Sequence, residues 1–429
     1  MSLDVVKTAA SNPARKADAP FRGWYILAVT VVTQIIAIGC TNYIYSLYMI
    51  PIGEEFGASR TVMGTGMALF LLAMGCCSPL VGKLVDKRSQ RNLLVLGGVL
   101  MAVGFALMAA ATALWQMAVV LVLFIAVGSS LIGHLTSATI LTSWFDRYRG
   151  RAIGISAMGA SLGGAVMTVV AASLIQNIGW RGSLLVIAAG IALFALLVVR
   201  FVVVDNPQRL KQYADGLLPE PGAAAAPAAG ETGPVEFKVS ALLRDGNFWR
   251  IALCTALVMF AGVLLSVHFV PYAAEQGIDT TAAAFVLSLF AMTGMVGKVF
   301  FGYMTDLFNA ARVFCAVALV DAGAWALLLS QTSYPVFLVG VGIMGFGAGG
   351  AAPVMTSLIS RCFGRRVFGR VMGCIGVLLL ALIALPGPIG GLVYDLTGDY
   401  RMVFSLTFWV FPLAAVIAWF IRVPAVAPR

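Results

Sequence analysis

The sequence has little charge and almost no histidine. Of its 429 residues only 11% are charged and 2 are histidines, whereas 61% are hydrophobic, and the mean hydropathy is +0.97. A soluble globular protein carries about 25% charged residues, so this composition excludes a soluble or disordered protein. An outer-membrane barrel is also disfavoured, because stretches such as residues 92–111 are apolar throughout and do not alternate with polar residues.

The usual motifs of cofactor and nucleotide binding are missing as well. The seven cysteines form no pair with metal-ligand spacing near a histidine, and we interpret them as small residues of membrane helices. The glycine-rich stretches lie in apolar segments with no preceding strand, and no ATP-binding motif occurs. We therefore expect no cofactor, no metal, no enzyme activity and transport driven by gradients. The net charge of +10 is explained by its location, described below, and predicts no nucleic-acid partner.

The apolar residues fall into twelve segments, each long enough to cross a bilayer. They predict an N-terminal tail (1–22), a six-helix bundle (23–204), a polar linker rich in Ala, Pro and Gly (205–246), a second six-helix bundle (247–422) and a C-terminal tail (423–429). The segments run over residues 24–50, 61–82, 92–111, 115–141, 152–176, 183–204, 248–272, 282–304, 313–330, 335–360, 368–393 and 402–422.

The basic residues are distributed unevenly between the two sides of these segments. The tails, the linker and the loops on their side hold 24 of the 28 Lys and Arg residues, and the opposite side holds Arg60, Arg181 and Arg401. Basic residues accumulate in cytoplasmic loops. The sequence therefore predicts a multi-pass protein of a plasma membrane, such as a bacterial inner membrane, with both termini in the cytoplasm. The polar tail before the first segment does not resemble a cleavable signal peptide.

The two halves of the sequence repeat each other. Gly82-x3-Asp86 recurs as Gly302-x3-Asp306, and Gly150-Arg151-x2-Gly154 recurs as Gly369-Arg370-x2-Gly373. Six is an even number of spans, so the repeats are parallel, which is a known transporter architecture with its substrate site between the halves. We predict an all-α membrane protein with twelve transmembrane helices in two pseudo-symmetric six-helix bundles.

Several of these motifs resemble known transporters. The loop Gly82-Lys83-Leu84-Val85-Asp86-Lys87-Arg88-x2-Arg91 resembles the signature of the major facilitator superfamily. Three further segments resemble the monocarboxylate transporter family and its bacterial relatives, which include oxalate–formate exchangers. They are Gly23-Trp24, then Trp144 to Gly154 with Gly159-Ala160-Ser161-x-Gly163, and Pro386-Gly387-Pro388-Ile389-Gly390-Gly391-x3-Asp395. This resemblance implies transport of carboxylates, often coupled to protons, and a cation on the eighth helix, here Lys298.

Lys298 is the one cation that we place deep in a span, flanked by Gly294 and Gly302. A buried cation is costly in a membrane and usually faces a wet cavity or a partner. We predict that it anchors a substrate carboxylate and that it can exchange a coupling proton. The alternative is a side chain that extends to the cytoplasmic interface.

Other polar residues in the spans are candidates for the same cavity. His268 and Tyr272 share a face of the seventh span, and the histidine can also carry a proton. His134 lies on the fourth span, and Asn42 and Tyr45 lie on the first. Each has an ordinary alternative, which is helix packing for the histidines and an aromatic belt at the membrane surface for the tyrosines.

Two groups of acidic and basic residues complete the candidates. Asp321 is buried in the ninth span, and it is either a proton-coupling carboxyl or a structural partner of a neighbouring helix. Asp86, Arg88, Arg91 and Asp306 are predicted to form a cytoplasmic gate between the bundles. The alternative is that the basic residues among them only set the orientation of the protein.

These features predict a secondary transporter for a small organic anion of the lactate or pyruvate type, with proton symport, acting as a monomer in the lipid bilayer. One alternative is an exchanger or carrier of larger or dicarboxylate anions, and another is an exporter of amphipathic or cationic compounds. A membrane sensor without transport is the alternative of a different class, although the linker and tails leave no room for a signalling domain.

Overall fold

The protein is helical throughout the residues that the structure describes. The structure is a computed structural model that describes residues 21–145, 148–210, 212–216, 239–330, 333–364 and 367–423, apart from the side chains at positions 86, 149, 150, 239 and 368–370. Eleven helices are long and apolar enough to cross a membrane. One of them, Arg151–Val202, contains two spans because Gly179, with φ +71°, turns the chain between them. The twelve spans confirm the predicted fold class.

The first bundle contains spans 1 to 6. They consist of Gly23–Gln34, Ile35–Tyr43 and Tyr45–Phe56 (span 1), Arg60–Lys87 (span 2), Gln90–Ala110 (span 3), Leu114–Val120, Leu121–Ala126, Val127–Ile132 and His134–Trp144 (span 4), and Arg149–Leu193, Phe194–Val199 and Arg200–Val202 (spans 5 and 6). Ile35–Tyr43, Leu121–Ala126 and Phe194–Val199 are π-helical.

The second bundle contains spans 7 to 12. They consist of Gly246–Glu275 (span 7), Thr280–Leu307 (span 8), Ala310–Ser330 (span 9), Tyr334–Phe363 (span 10), Phe368–Ile383 and Pro386–Thr397 (span 11), and Arg401–Phe408 and Val410–Trp419 (span 12). Between the bundles lie the 3-10 turns Pro207–Leu210 and Ala214–Gly216 and the short helix Val239–Arg244.

The turns between spans define two ends of the protein. We call the end that holds residues 22, 205, 246 and 422 the termini end, and the opposite end the far end. Four far-end turns contain a glycine with positive φ, a conformation that glycine adopts without steric cost. They are Gly57, Gly179, Gly277 and Gly398.

The beginning of the linker is attached to the first bundle. Asp205 accepts hydrogen bonds from the Ser89 hydroxyl (2.7 Å) and the Arg91 backbone N–H (2.8 Å). The Trp144 indole donates to the Val204 carbonyl (2.8 Å), and the Arg22 backbone N–H donates to Gln212 (3.1 Å). Residues 203–210 and 212 therefore pack on the termini end, whereas linker residues 217–238 lie outside the described part of the chain.

Span 2 and span 11 pack together and join the bundles. A Cβ on Gly64 would overlap the carbonyl group of Gly387, so the two backbones touch. At the far end Asp395 accepts hydrogen bonds from the backbone N–H groups of Arg60 and Thr61 (both 3.0 Å). The carboxylate of one bundle thus caps a helix of the other, because the first N–H groups of a helix have no partner inside it.

Span 5 and span 8 form the second junction between the bundles. Gln176 donates to Thr281 near the far end, and the Ser288 hydroxyl donates to the Ala165 carbonyl (2.5 Å) deeper inside. The next hydrogen bond of this junction toward the termini end joins the Lys298 ammonium of span 8 to the Ser161 hydroxyl of span 5.

Toward the termini end the same four spans carry exposed side chains. Examples are Leu80 of span 2 (61% exposed), Ile155 of span 5 (42%), Tyr303 of span 8 (59%) and Val377 of span 11 (71%). In the described part of the chain the contacts between the bundles extend from the far end to Lys298 and Ser161, and beyond this level a Cβ on Gly154 of span 5 or on Gly373 of span 11 would meet no atom within 4 Å. The bundles are therefore closed against each other at the far end and separate toward the termini end.

Candidate functional site

Lys298 lies where the two bundles begin to separate. Its side chain is half-buried on span 8, and Nζ donates a hydrogen bond to the hydroxyl of Ser161 on span 5 (2.7 Å). Among the described residues no carboxylate forms an ion pair with it. Its charge therefore has a hydroxyl partner from the opposite bundle and no counter-ion in the described chain.

Small residues allow spans 1, 5 and 8 to approach each other next to this lysine. A Cβ on Gly163 would overlap the backbone of Ile35 and Gly39, and one on Gly164 would overlap Ala291 and Tyr43. Gly163 is the last residue of the motif that contains Ser161, and Gly164 directly follows it. The sequence motif therefore marks the junction of the bundles, but Ser161 itself was not among the predicted site residues.

His268 is fully buried and connects span 7 to span 11. Its Nε2 must donate to the carbonyl of Gly387 (2.8 Å), because a carbonyl only accepts, and Nδ1 lies 3.2 Å from the Tyr400 hydroxyl. Burial raises the pKa of Tyr400, so its hydroxyl keeps the proton that it can donate to Nδ1. These two bonds fit a neutral histidine.

Tyr272 is also fully buried, one turn further along span 7. It stacks on Phe404 with ring centroids 4.4 Å apart and makes an edge contact with Tyr400 at 6.5 Å. In this conformation His268 and Tyr272 therefore lie inside the second bundle, and they are not exposed to a solute. Their proposed contact with substrate stays a prediction.

Asn42 and Tyr45 lie at different positions relative to the bundle junction. Asn42 is half-buried in the π-helical part of span 1, next to Tyr43, which packs on span 5. Tyr45 instead points toward span 2, where its hydroxyl donates to the carbonyl of Met63 (2.5 Å). The face of span 1 that carries Tyr45 contacts a neighbouring helix of the same bundle.

Span 4 is interrupted at its centre, directly before His134. The helix Val127–Ile132 ends, Gly133 has an extended backbone (ψ −167°), and a new helix begins at His134. The side chain of His134 is exposed. Interrupted helices in transporters direct their helix ends at bound ions and substrates, and the contact of His134 with the substrate stays a prediction. The sequence contained the signal, a glycine in mid-span.

Asp321 is fully buried in span 9 and faces span 10. A Cβ on Gly347 would overlap its carboxyl group. Neither carboxyl oxygen has a hydrogen-bond partner among the described residues. This carboxyl lies inside the second bundle and not at the junction with the first.

The four predicted gate residues lie near the termini end. Arg88 and Asp306 are exposed, and the backbone of Arg91 is held by Asp205, as described above. The side chain of Asp86 lies outside the described residues. The described side chains form no ion pair between the bundles in this conformation, and the gate stays a prediction for a conformation in which the termini end closes.

Two six-helix bundles that close at one end, with a charged side chain where they separate, are the architecture of a membrane transporter. Comparison with known proteins identifies the family of this transporter. The model of the Major Facilitator Superfamily matches residues 30–298 and 251–429. The chain belongs to this superfamily, whose members are membrane transporters.

Relatives within the superfamily include monocarboxylate transporters. Monocarboxylate transporter 12-B of Danio rerio is 25% identical over 409 residues, which cover 90% of this chain and 84% of the relative. Monocarboxylate transporter 13 of Bos taurus is 27% identical over 335 residues, covering 76% and 72%. The resemblance deduced from the sequence motifs is thereby confirmed.

The fold also matches a solved structure. A bacterial homologue of the human lysosomal transporter Spinster, in an inward-facing and occupied conformation, superposes with a TM-score of 0.73 at 16% identity, covering 94% of this chain and 97% of that one. At this identity the match establishes the fold alone.

Proposed function

We propose that the protein is a secondary active transporter that moves a small monocarboxylate of the lactate or pyruvate type, together with a proton, across the plasma membrane. The observation that carries this proposal is the ammonium of Lys298 at the junction of the bundles, where the described chain provides a hydroxyl but no counter-ion. The relatives named monocarboxylate transporters support the same class of substrate.

The attraction between this ammonium and a carboxylate is large enough to matter. Two unit charges 4 Å apart interact by about 4 kcal/mol at an effective dielectric constant of 20. Desolvation of both groups lowers the net gain. A single carboxylate matches the single charge of Lys298, which favours a monocarboxylate over a dicarboxylate.

The proposed mechanism is alternating access. Lys298 belongs to the second bundle and Ser161 to the first, so an anion that takes the ammonium competes with a hydrogen bond between the bundles. The described conformation would be open to the cytoplasm, because the positive-inside distribution predicts that the termini lie there. The opposite conformation requires the far-end contacts of Asp395 to break and the gate of Asp86, Arg88, Arg91 and Asp306 to form.

The other candidate residues have different access in the described conformation. Asn42 and His134 are at least partly exposed, and we propose them as early contacts of the substrate. His268, Tyr272 and Tyr45 would reach it only after the helices rearrange. Lys298, His268 and Asp321 are the candidates for carrying the coupling proton, and the pH dependence of uptake by single variants distinguishes them.

The test is uptake of labelled lactate into proteoliposomes, with and without an inward proton gradient. We expect gradient-driven uptake by the wild-type protein and its loss in Lys298→Gln. Arg200→Gln is the matched control, since Arg200 is exposed at the termini end of span 6 and one positive charge is removed there as well. Unchanged uptake in Lys298→Gln would remove the proposed anchor.

A second arm addresses the alternative substrates. Vesicles preloaded with unlabelled oxalate or with larger organic anions are tested for exchange against their labelled counterparts. Exchange without net lactate uptake, by protein shown to be folded, would replace the lactate proposal by an anion exchanger.

A further inference from the structure

An apolar cavity of about 320 Å³ lies inside the first bundle, between spans 1, 2 and 4. Its inner wall includes Cys40, Met67 and Phe70, which are at most 2% exposed. Its rim includes Val62 and Trp115, which are 49% and 68% exposed. The cavity therefore extends from the interior of the bundle to the outer surface of the spans, away from Lys298.

The polar groups of the cavity wall already have partners. The Tyr45 hydroxyl donates to the Met63 carbonyl (2.5 Å), and the hydroxyls of Tyr48 and Ser183 form a hydrogen bond of 2.7 Å. The Thr41 hydroxyl donates to the Ala37 carbonyl (2.6 Å). The wall therefore offers contacts to apolar matter and few sites to hold a water molecule, which needs two to four polar partners.

Two π-helical stretches form part of this wall. Cys40 and Thr41 belong to the π-helical segment Ile35–Tyr43, and Leu121 and Ile125 belong to Leu121–Ala126. π-helical turns are rare and frequently occur at functional sites. Because two such segments line the same cavity, we interpret the cavity as a functional feature of the bundle.

We infer that this cavity binds an acyl chain of a membrane lipid. In a membrane protein the exposed surface around Val62 and Leu69 faces hydrocarbon, so acyl chains are present at the rim in high concentration. An empty cavity would forfeit the van der Waals contacts of its lining, and a chain restores them without breaking a hydrogen bond. Trp115, the second residue of span 4, suits the membrane interface and places the lipid headgroup near the far end.

The bound chain would support the contact between the bundles. Met63 lines the cavity, whereas the next residue, Gly64, touches Gly387 of the second bundle. A chain in the cavity therefore packs behind the part of span 2 that closes the far end. This binding proposal requires only that the protein lies in a membrane, and it does not depend on the transported substrate.

The experiment uses the full-length protein in phosphatidylcholine vesicles that contain a phosphatidylcholine with a diazirine in one acyl chain. After irradiation, labelled residues are identified by mass spectrometry. We expect label on Met67 and Phe70 although both are buried, and none on Met101, which is equally buried but does not line the cavity. In Ala118→Phe, which fills the cavity, the label on Met67 and Phe70 should be lost.

Leu123→Phe is the matched control. Leu123 lies on the same span as Ala118, is 57% exposed and does not line the cavity, so its variant should be labelled like the wild type. If Ala118→Phe does not fold, Ala118→Leu provides a smaller obstruction and should reduce the label in part.

Two results would overturn the inference. One is label on Met67 and Phe70 that does not exceed the label on Met101 in the wild type. The other is label on these residues from a water-soluble aryl diazirine but not from the acyl-chain probe, which would assign the cavity to a small apolar solute.

Discussion

Replacement of Asp395 should open the far end of the protein. The first four backbone N–H groups of span 2 are satisfied from outside the helix. The backbone N–H groups of Arg60 and Thr61 donate to the carboxylate of Asp395 in the second bundle. The next two N–H groups donate to the hydroxyl and the carbonyl oxygen of Ser59. Opening of the far end separates Asp395 from both groups, so its hydrogen bonds stabilise only the closed arrangement.

The size of the effect follows from the bonds that are lost. Loss of a helix cap costs about 0.5–2 kcal/mol. For Asp395→Ala a value of about 1–2 kcal/mol corresponds to a factor of about 5–30 in the ratio of open to closed protein. Asp395→Asn keeps one acceptor oxygen and loses the charge at the helix N-terminus, worth about 0.3–1 kcal/mol. The ratio of open to closed protein should therefore rise about twofold to fivefold in Asp395→Asn.

The assay is the distance distribution between spin labels at positions 54 and 276, measured by double electron–electron resonance. Glu54 and Gln276 are exposed at the far end, one on each bundle, and the exposed native cysteine Cys76 is replaced beforehand. We expect a longer-distance population that increases from wild type to Asp395→Asn to Asp395→Ala.

Asp399→Ala is the matched control for this series. Asp399 lies four residues later, in the turn after span 11, but it accepts from the Arg401 N–H of its own bundle (2.7 Å), so its loss should leave the distribution unchanged. Equal distributions for the wild type and Asp395→Ala would refute the role of this carboxylate in closure.

Three further substitutions test other parts of the structure. Gly64→Ala places a methyl group against the Gly387 carbonyl, and overpacking of about 1–3 kcal/mol should shift the same spin-label distances toward the open form; an unshifted distribution would contradict the close approach. Ser161→Ala frees the ammonium of Lys298, and for a bond to a charged group worth about 1.5–3 kcal/mol the KM of anion uptake should fall about tenfold or more, whereas a higher KM would mean that the hydroxyl binds the substrate. Asp321→Asn should keep both lactate exchange and proton-driven uptake, because Asp321 lies within one bundle; selective loss of proton-driven uptake would instead assign the coupling proton to it.

The architecture was predictable because each span is specified by its own composition. Twenty apolar residues cross a bilayer whatever their neighbours are, and the repeated glycine motifs predict equivalent packing in both halves. The structure has this equivalence, since the nearest atoms to a Cβ on Gly82 and on Gly302 come from Leu135 of span 4 and Pro353 of span 10. These pairs occupy corresponding positions of the two bundles.

The arrangement around the site was less predictable because it depends on which helices meet. The spacing of Thr41, Tyr45 and Tyr48 indicates one face of a helix, and these residues do line one cavity. The spacing does not say whether that face meets the other bundle or a helix of its own bundle. A π-helical stretch before Tyr45 also rotates later side chains relative to regular helix positions.

Lys298 and His268 each lie at one of the two junctions between the bundles. His268 donates to the Gly387 carbonyl, and this carbonyl also lies against Gly64 of the first bundle. Lys298 reaches the first bundle through Ser161. Lys298 and His268 of the second bundle therefore each lie at a point where the first bundle touches the second. In the proposed mechanism, a solute that displaced Ser161 would loosen one junction while the contacts of Gly387 keep the far end closed, so that both ends would not open at once.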